Sequence, residues 1–593
     1  MATYDVLKKE ADERQYKLTN GEMPWIRIGT EVHARAAGAI DVLESFKNEL
    51  SSRNIDAIVQ KVGSLGISYA EPIVDIKKPG MPRLFFANVE PSDIPNIIDS
   101  YLIKDEVPLK NVLGSLGETE VEGIPNLNEI PGIKYQQRIA LRNAGHNSPD
   151  DIYQYLATGG YEGLNKAITS MDPSDVIKEV TDSGLRGRGG AAFSTGIKWS
   201  FMVRSQGIKY ILCNCEEGDP GAYNDKGILE SDPYTLLEGL TIAGYATGAT
   251  NGIVFIRHGN NGPIENTEKA IENAYEVGLL GKNIFGSDFS FDIEVVLTGE
   301  SYVSGEETAL MDAVEGKRAQ PRPRPPFPAA FGVWGYPTTI NNVKTLSYTP
   351  EIIRRGAKWF SSIGVNKSTG TAIACINGNI RYPGMYEVPM GVTLGHLVND
   401  IGGGIPDGKK LKMLQTGGPL GGVLGPDSLE IHIDFDEMRE AGAIFGSGGI
   451  IVADNETCAV DITRVLVAFC QYESCGKCFP CRLGMEHLLE IVERIAKFEN
   501  HDGDLEMMMK IGTSMEGASL CGHGQLGFGP IRSALKHFEA DFLSHMQDKK
   551  CPTGSCLGIK IAPKNTRPYS WDFLPPNTQP VDLKMPNPRN TNV

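Results

Sequence analysis

Residues 252–297 read GIVFIRHGNNGPIENTEKAIENAYEVGLLGKNIFGSDFSFDIEVVL. The apolar run Gly252–Arg257 has the length and β-branched content of a buried strand, Pro263–Val277 is a helical stretch, and Asp292–Leu297 is a second apolar strand. Strand, helix, strand in that order predicts a parallel βαβ unit. With the short apolar strand Tyr210–Cys213 upstream, it predicts a doubly wound sheet. Ligands of such sheets sit at the carboxyl ends of the strands, so the residues just after Cys213 are the first to read for chemistry.

Working outward, residues 134–354 form the largest α/β block. Within it 319–337 holds six prolines, which exclude a regular element and leave a structured loop or a linker. Upstream, Ile26-Arg27-Ile28 and Leu84-Phe85-Phe86 read as strands. Ala37–Leu50 reads as a helix with Ile40, Leu43, Phe46 and Leu50 on one side, so 1–113 is a small α/β domain. Residues 114–133 are rich in Gly and Pro and read as a linker. Downstream, TAIACING, GMYEVP and the glycine turns at 402–404 and 417–418 predict a small β-rich domain over 355–440. From Asp461 the period becomes helical, with Ile462, Val465, Leu466 and Phe469 on one face and Met485, Leu488, Leu489, Val492 and Ile495 on another. A helical bundle over 441–548 follows, then a Pro- and Asn-rich, extended tail over 549–593.

The 593 residues leave room for about four domains. Fifty-seven basic against 74 acidic side chains give −17, which argues against nucleic acid or an anionic membrane surface as the main partner. No apolar run is long enough to span a bilayer, and the first residues, MATYDVLKKEADERQ, lack the apolar core of a signal peptide, so a cytoplasmic location is expected. Eleven cysteines, an odd number in such a compartment, are no disulfide framework, and six of them cluster from Cys475 to Cys556, which reads as metal.

Four segments carry chemistry. In SCGKCFPCR, Cys475, Cys478 and Cys481 have C-x2-C-x2-C spacing, and Cys521 in SLCGHGQ is the obvious fourth thiolate. Four thiolates suit a [4Fe–4S] cluster, and a zinc knuckle is the alternative. In SGLRGRGGAAF, four glycines within 184–190 let backbone N–H groups approach a phosphate, and Arg186 and Arg188 add charge. A tight surface loop is the plainer reading. NCEEGDPG, residues 214–221, follows the strand ending at Cys213 and offers an amide and carboxylates to a flavin edge or a ribose, or else is an exposed acidic turn. GEETAL (305–310), PPFP (325–328) and TTINNV (338–343) complete the set, and each alone is more often a cap or turn.

Together, in this order, these segments resemble the family of NADH-binding flavoprotein (51 kDa) subunits of respiratory complex I. They resemble more closely its soluble relatives in NAD-linked and bifurcating hydrogenases, formate dehydrogenases and benzoyl-CoA reductase complexes. The resemblance covers about residues 25–556. It implies a multidomain α/β chain: a thioredoxin-like N-terminal domain, a Rossmann-like domain holding FMN and NAD(H), a β-grasp domain, and a C-terminal helical bundle with one [4Fe–4S] cluster. The family's Gly-rich loop falls on Gly187, Arg188, Gly189 and Gly190, and its nicotinamide-stacking Phe and its Lys on Phe193 and Lys198. Its flavin-binding Asn falls on Asn214, with acidic positions at Glu216 and Asp219. Its Tyr-x-x-Gly-Glu-Glu-Thr falls on Tyr302, Gly305, Glu306, Glu307 and Thr308. Its adenine-side Phe falls on Phe327, its flavin phosphate and ribityl contacts on Asn341, Asn342 and Thr345, and its cluster ligands on Cys475, Cys478, Cys481 and Cys521. Glu306, Glu307 and Phe193 are thereby the expected catalytic groups, beside the flavin and the nicotinamide.

The departures are informative. Ala192 and Ser194 stand where the family usually has Gly and Pro, Cys215 and Glu216 where it has Ala and Asp, and Ser304 where Cys is common. The N-terminal [2Fe–2S] positions fall on Ser64 and Ser68 and near Thr30, Glu31 and Val32. Residues 1–212 contain no cysteine, so this domain is expected to carry no cluster and to serve in docking. At the other end Cys551 and Cys556 are left over. With Cys458 and His545 they make a three-cysteine, one-histidine set that suits zinc, against the alternative of inert thiols. The expected activity is hydride exchange between NAD(H) and FMN, then one-electron transfer through the cluster to partner subunits: a small iron–sulfur subunit and a catalytic subunit such as a hydrogenase, formate dehydrogenase or benzoyl-CoA reductase. The competing reading is a cluster-bearing scaffold whose nucleotide site has lapsed.

Overall fold

The computed structural model describes residues 3–117 and 121–556; the tail expected after Cys556 lies outside them. The first sheet joins Trp25–Gly29 (β1), Ile58–Val62 (β2), Val74–Lys77 (β3), Arg83–Phe86 (β4) and Val112–Leu116 (β5) in the order β2-β1-β3-β4-β5. β1 runs parallel to β2 and antiparallel to β3. The helix Ala39–Ser52 buries Ala39, Val42, Leu43, Phe46 and Leu50 on it, each large side chain contributing about 1.5–3 kcal/mol. Ile40, expected on that stripe, is 41% exposed, because Ala39 and Val42 set the phase of the buried face. The expected linker starts inside β5, and its Leu127 and Ile130 are buried, so apolar anchors hold this Gly- and Pro-rich segment against its neighbours.

The second sheet is entirely parallel: Tyr210–Cys215 (β6), Asn251–Arg257 (β7), Asp292–Thr298 (β8) and Thr338–Asn342 (β9), in the order β8-β7-β6-β9. The helix Asn261–Glu276 crosses from β7 to β8, which is the βαβ unit read from the sequence. The chain steps one way from β6 to β8 and then places β9 on the far side of β6. The strand order therefore reverses between β6 and β9, and a crevice opens there at the carboxyl ends.

After the short hairpin Gly364–Val365 (β10) and Ser368–Thr369 (β11), a third sheet joins Thr371–Gly378 (β12), Gly384–Pro389 (β13), Leu411–Thr416 (β14), Val423–Leu424 (β15) and Gly449–Asp454 (β16) in the order β13-β12-β16-β14-β15. The boundary expected at 440 is displaced, because the apolar run Gly449–Asp454 returns as the central strand, parallel to β12 and antiparallel to β14. Helices Ala459–Tyr472, Phe479–Ala496, Asp504–Ala518, Gly522–Leu526 and Gly529–Met546 complete the fold. In the first of them the buried residues are Ala459, Val460, Thr463, Leu466, Val467 and Cys470, while Val465, expected inside, is 47% exposed. Thr463 and Cys470 take core positions that a purely hydrophobic pattern does not credit. Among the described residues no helix is long and apolar enough to cross a membrane.

Candidate active site and metal centres

The crevice between β6 and β9 gathers the expected pocket residues. The glycine-rich segment doubles back on itself: Gly187 N donates to Phe193 O at 2.8 Å and Thr195 N to Leu185 O at 3.0 Å. A Cβ at Gly189 would lie 2.9 Å from the Asn342 side chain, so only glycine lets this loop touch β9. Among the described residues, the Gly189 and Gly190 N–H groups have no acceptor, which leaves two donors for an anion. Ala192 keeps a φ of +53° where the family carries Gly, a left-handed backbone that costs an L side chain roughly 1–2 kcal/mol.

The two arginines of this loop do not face that anion. Arg186 pairs with Asp436 at 3.0 Å and donates to Ala192 O at 2.8 Å. Arg188 is buried and donates to Thr371 O at 3.1 Å, Arg186 O at 2.9 Å and Thr369 O at 2.5 Å. They clamp the loop to the third sheet. The expectation that they add charge to a phosphate site fails, because Asp436, neutral carbonyls and the Phe435 ring already hold the two guanidinium groups.

A buried cation that sequence reading passed over sits nearer. Lys344 Nζ donates to Asn224 Oδ1 at 2.6 Å and Asp225 Oδ1 at 2.9 Å, and Asp225 Oδ2 accepts from Asn342 Nδ2 at 2.5 Å. Glu217 accepts the N–H groups of Asp225 and Lys226 at 2.7 and 2.8 Å. All four charged or amide side chains, Glu217, Asn224, Asp225 and Lys344, are buried, and the network braces the 214–226 loop against β9. The signal was in the sequence: Asn224-Asp225-Lys226 follows the acidic turn and Lys344 follows Asn342, but only the fold joins them.

Other expected residues are fixed by their neighbours. Asn214 Nδ2 donates to Gly305 O at 2.9 Å, Trp199 Nε1 to Asn341 Oδ1 at 3.0 Å, and Arg188 N to Thr345 Oγ1 at 2.9 Å. Tyr302 donates to Asp219 Oδ1 at 2.7 Å, and the other Asp219 oxygen accepts from Ser447 at 2.6 Å. Burial pushes Glu216 up to about 8, with Arg257 acting against it, and its Oε1 is buried without a hydrogen-bond partner. Glu306 caps the helix Glu307–Val314, accepting from Thr308 N and Ala309 N at 2.9 Å each. Arg324 bridges Glu306 at 2.9 Å and Glu307 at 2.6 Å, and Lys198 reaches Glu307 at 3.0 Å. Burial would raise Glu307, but the two cations outweigh it and hold the carboxyl below its usual range. Phe193 and Phe327 are half-exposed aromatics, 50% and 58% accessible.

The thiols fall into two sets. Cys478 is the N-cap of Phe479–Ala496 and Cys521 that of Gly522–Leu526, so both thiols meet the positive ends of helices. A Cβ at Gly524 would lie 2.9 Å from Cys481 Cβ, so the two cysteine segments approach closely only through this glycine. In the other set, Cys458, His545, Cys551 and Cys556 are all buried and their ligand atoms lie within 4.8 Å of one another. Among the described residues this is the one set so compact. Cys475, Cys478, Cys481 and Cys521 offer four thiols, the ligand type a [4Fe–4S] cluster takes.

Known proteins match the chain region by region. The Nuo51 FMN-binding domain family matches residues 180–351, the SLBB domain 373–424, and the iron–sulfur binding region of NADH-ubiquinone oxidoreductase-F 461–545. HndC, the NADP-reducing hydrogenase component of Solidesulfovibrio fructosivorans, is 45% identical over 72% of this chain and 87% of its own. The F 2 component of the NADH-quinone oxidoreductase of Rhizobium meliloti is 42% identical over 70% of this chain and 99% of its own. A crystal structure of an NAD+-reducing [NiFe]-hydrogenase in the H2-reduced state superimposes with a TM-score of 0.62 at 26% identity, covering 92% of this chain and 89% of that one. With FMN-binding and iron–sulfur regions in sequence and that identity across two thirds of its length, the chain belongs to the family of the NADH-oxidising 51 kDa flavoproteins of complex I and their hydrogenase counterparts.

Proposed function

We propose that this chain exchanges hydride between NAD(H) and FMN in the crevice between β6 and β9, and passes electrons one at a time through a [4Fe–4S] cluster to partner subunits. The observation that carries the reading is the convergence, at one topological switch point, of a glycine cradle with two free N–H donors, the Asn341–Asn342 pair and the buried Glu216 carboxyl, whose Oε1 has only Arg257 Nη1 at 3.5 Å.

These residues fit FMN. Gly189 and Gly190 would donate to its phosphate, and Asn341, Asn342 and Thr345 would hold its phosphate and ribityl chain. Asn214 and Glu216 would meet the ring edge. Phe193 offers its face to the nicotinamide and Phe327 to the adenine. Glu307, kept charged by Lys198 and Arg324, and Glu306, anchored by the helix it caps, orient the nucleotide's hydroxyls. Bound FMN supplies the hydride acceptance and the change from two-electron to one-electron chemistry. Cys475, Cys478, Cys481 and Cys521 hold the cluster.

Cys458, His545, Cys551 and Cys556 hold zinc. Nδ1 of His545 lies 2.7 Å from Asp541 O, an outer contact that fixes the ring and leaves Nε2 for the metal. The chain works in the cytoplasm within a larger complex whose catalytic subunit is a hydrogenase, a formate dehydrogenase or a benzoyl-CoA reductase. An anaerobic NADH titration of the reconstituted chain tests the reading. Bleaching of the flavin band followed by loss of broad cluster absorption is expected. A cluster signal with no flavin and no response to NADH would leave only a scaffold.

A further inference from the structure

The third sheet reaches into the crevice. Its two glycine turns, 417–418 after β14 and 446–448 before β16, meet the acidic turn that follows β6. A Cβ at Gly418 would lie 2.2 Å from Asp219 Oδ1, and one at Gly446 would lie 2.5 Å from Gly417 Cα. Glycine at both positions lets the two turns lie against each other and against Asp219. A Cβ at Gly190, in the anion cradle, would lie 3.9 Å from Gly446 Cα, so the same turn borders the cradle. Ser447 sits among these contacts with its backbone anchored. Its carbonyl accepts from Nδ2 of the buried Asn224 at 2.7 Å, and Asn224 Oδ1 accepts from Lys344 at 2.6 Å.

Hydroxyls hold Asp219 from two sides. Oδ2 accepts from Ser447 Oγ at 2.6 Å and Oδ1 from the Tyr302 hydroxyl at 2.7 Å. The Tyr302 ring in turn packs edge-on against Phe469 and His523, with centroids 5.3 and 5.8 Å away, so the flavin domain, the third sheet and the helical unit meet at this carboxylate. The cations close by are taken by other acids: Lys344 by Asp225 at 2.9 Å, Arg257 by Glu216 at 3.5 Å and Lys226 by Glu217 at 4.0 Å. Among the described residues no lysine or arginine nitrogen lies within 4.0 Å of Asp219. Two neutral donors fix where a carboxylate points and leave its charge in place, whereas a cation would cancel it. Burial pushes the Asp219 carboxyl above its ordinary range, and the Ser447 and Tyr302 hydroxyls act against that shift.

We propose that Ser447 is a positioning residue for flavin reduction: with Tyr302 it fixes the Asp219 carboxylate, its charge uncancelled, on the flavin's side of the crevice, and so makes bound flavin harder to reduce and a stronger donor once reduced. The proposal rests on the flavin reading given above. The reaction it biases is NADH + H+ + FMN giving NAD+ + FMNH2, in which electron density arrives beside a carboxylate that a poorly hydrated pocket screens weakly. Fixed protein charge of this kind is how a fold tunes a cofactor's electronics. Without the Ser447 hydroxyl the carboxyl loses one of its two holds, and it turns away or takes up a proton. In either case less negative charge faces the flavin.

The test is an anaerobic redox titration of the full chain reconstituted with FMN, equilibrated with a reference dye and read at the flavin band. At the potential that half-reduces the native flavin, Ser447→Ala is expected to raise the ratio of reduced to oxidised flavin about tenfold, or ~30 mV for a two-electron couple. Asp219→Asn, of the same shape but uncharged, is expected to shift the ratio at least as far. Ser447→Thr keeps the hydroxyl and is expected to stay near the native value. FMN affinity, followed by flavin fluorescence, separates positioning from packing: a merely loosened pocket weakens FMN binding and leaves the potential where it was. An unchanged or lower potential in Ser447→Ala with FMN bound overturns the proposal. Should that variant fail to fold, Asp219→Asn decides, and an unchanged potential there overturns it equally. A native chain that takes up no FMN overturns the flavin reading itself, and this assignment with it.

Discussion

The amino-terminal sheet and the carboxy-terminal helices both fall where the family resembled carries iron–sulfur ligands, and they differ in side-chain chemistry: the first has no cysteine and the second has eight of the eleven. In the helical unit Cys478 and Cys521 stand at helix N-termini, and Cys458, His545, Cys551 and Cys556 bring their ligand atoms within 4.8 Å of one another. In the sheet domain the matching positions form a closed polar knot: Ser64 Oγ donates to Glu71 Oε1 at 2.8 Å, Ile73 N to Glu71 Oε2 at 3.0 Å, and Glu31 sits 3.2 Å from His33 Nδ1. His33 packs on Tyr223 with ring centroids 4.1 Å apart, and Val32 N donates to Glu230 at 3.0 Å, so the knot ties this domain to the flavin domain. A soft-metal centre needs deprotonated thiols and donors aimed at them. A structural polar core needs hydroxyls, amides and shared protons.

The largest effect falls on the open thiol set. Cys521→Ser removes the thiol proposed as the fourth ligand, at a helix N-terminus, and loss of the cluster is expected. The reduced-cluster resonance should vanish and electron delivery to a protein acceptor should fall by about two orders of magnitude or more, while NADH still bleaches the flavin. Retention of both signals would move the fourth ligand elsewhere. Next comes the compact set. Cys556→Ser should remove about one equivalent of zinc by elemental analysis. It should also lower stability by ~3 kcal/mol, or about 6–12 °C in Tm. Flavin bleaching is expected to survive. A chain that never contained zinc, with an unchanged Tm, would reduce this set to a packed thiol core.

How much of this was legible depends on which physical signal each feature leaves. The βαβ unit announces itself because apolar runs and helical period are local properties. Cys458 and His545 could be paired with Cys551 and Cys556 by ligand type alone, and the fold brings them together across 98 residues. Three features left no local trace. β16 is six residues of apolar chain that look like the start of the helical region, and only pairing with β12 and β14 shows a strand. Arg186 and Arg188 look like phosphate ligands because their charge is visible and the groups that hold them are not. Lys344 looks like an ordinary helix residue until Asn224 and Asp225 are folded over it.

The smallest expected effect returns to the amino-terminal knot. Burial, reinforced by the Glu31 charge, pushes Glu71 up to about 8, while Ser64 and Ile73 donate against that shift. An unfolded chain releases this proton near 4.5. Between those values the folded state holds a proton that the unfolded state has lost, so the native fold loses stability as pH rises from about 4.5 to about 8 and no further above it. Glu71→Gln keeps the shape and the acceptor for Ile73 N but cannot ionise. Urea unfolding followed at the amino-terminal domain from pH 5 to pH 8 should show the native chain losing a few kcal/mol relative to the variant. Equal slopes would mean that Glu71 is ionised in the folded protein. The knot would then hold a buried carboxylate beside His33 rather than a protonated acid.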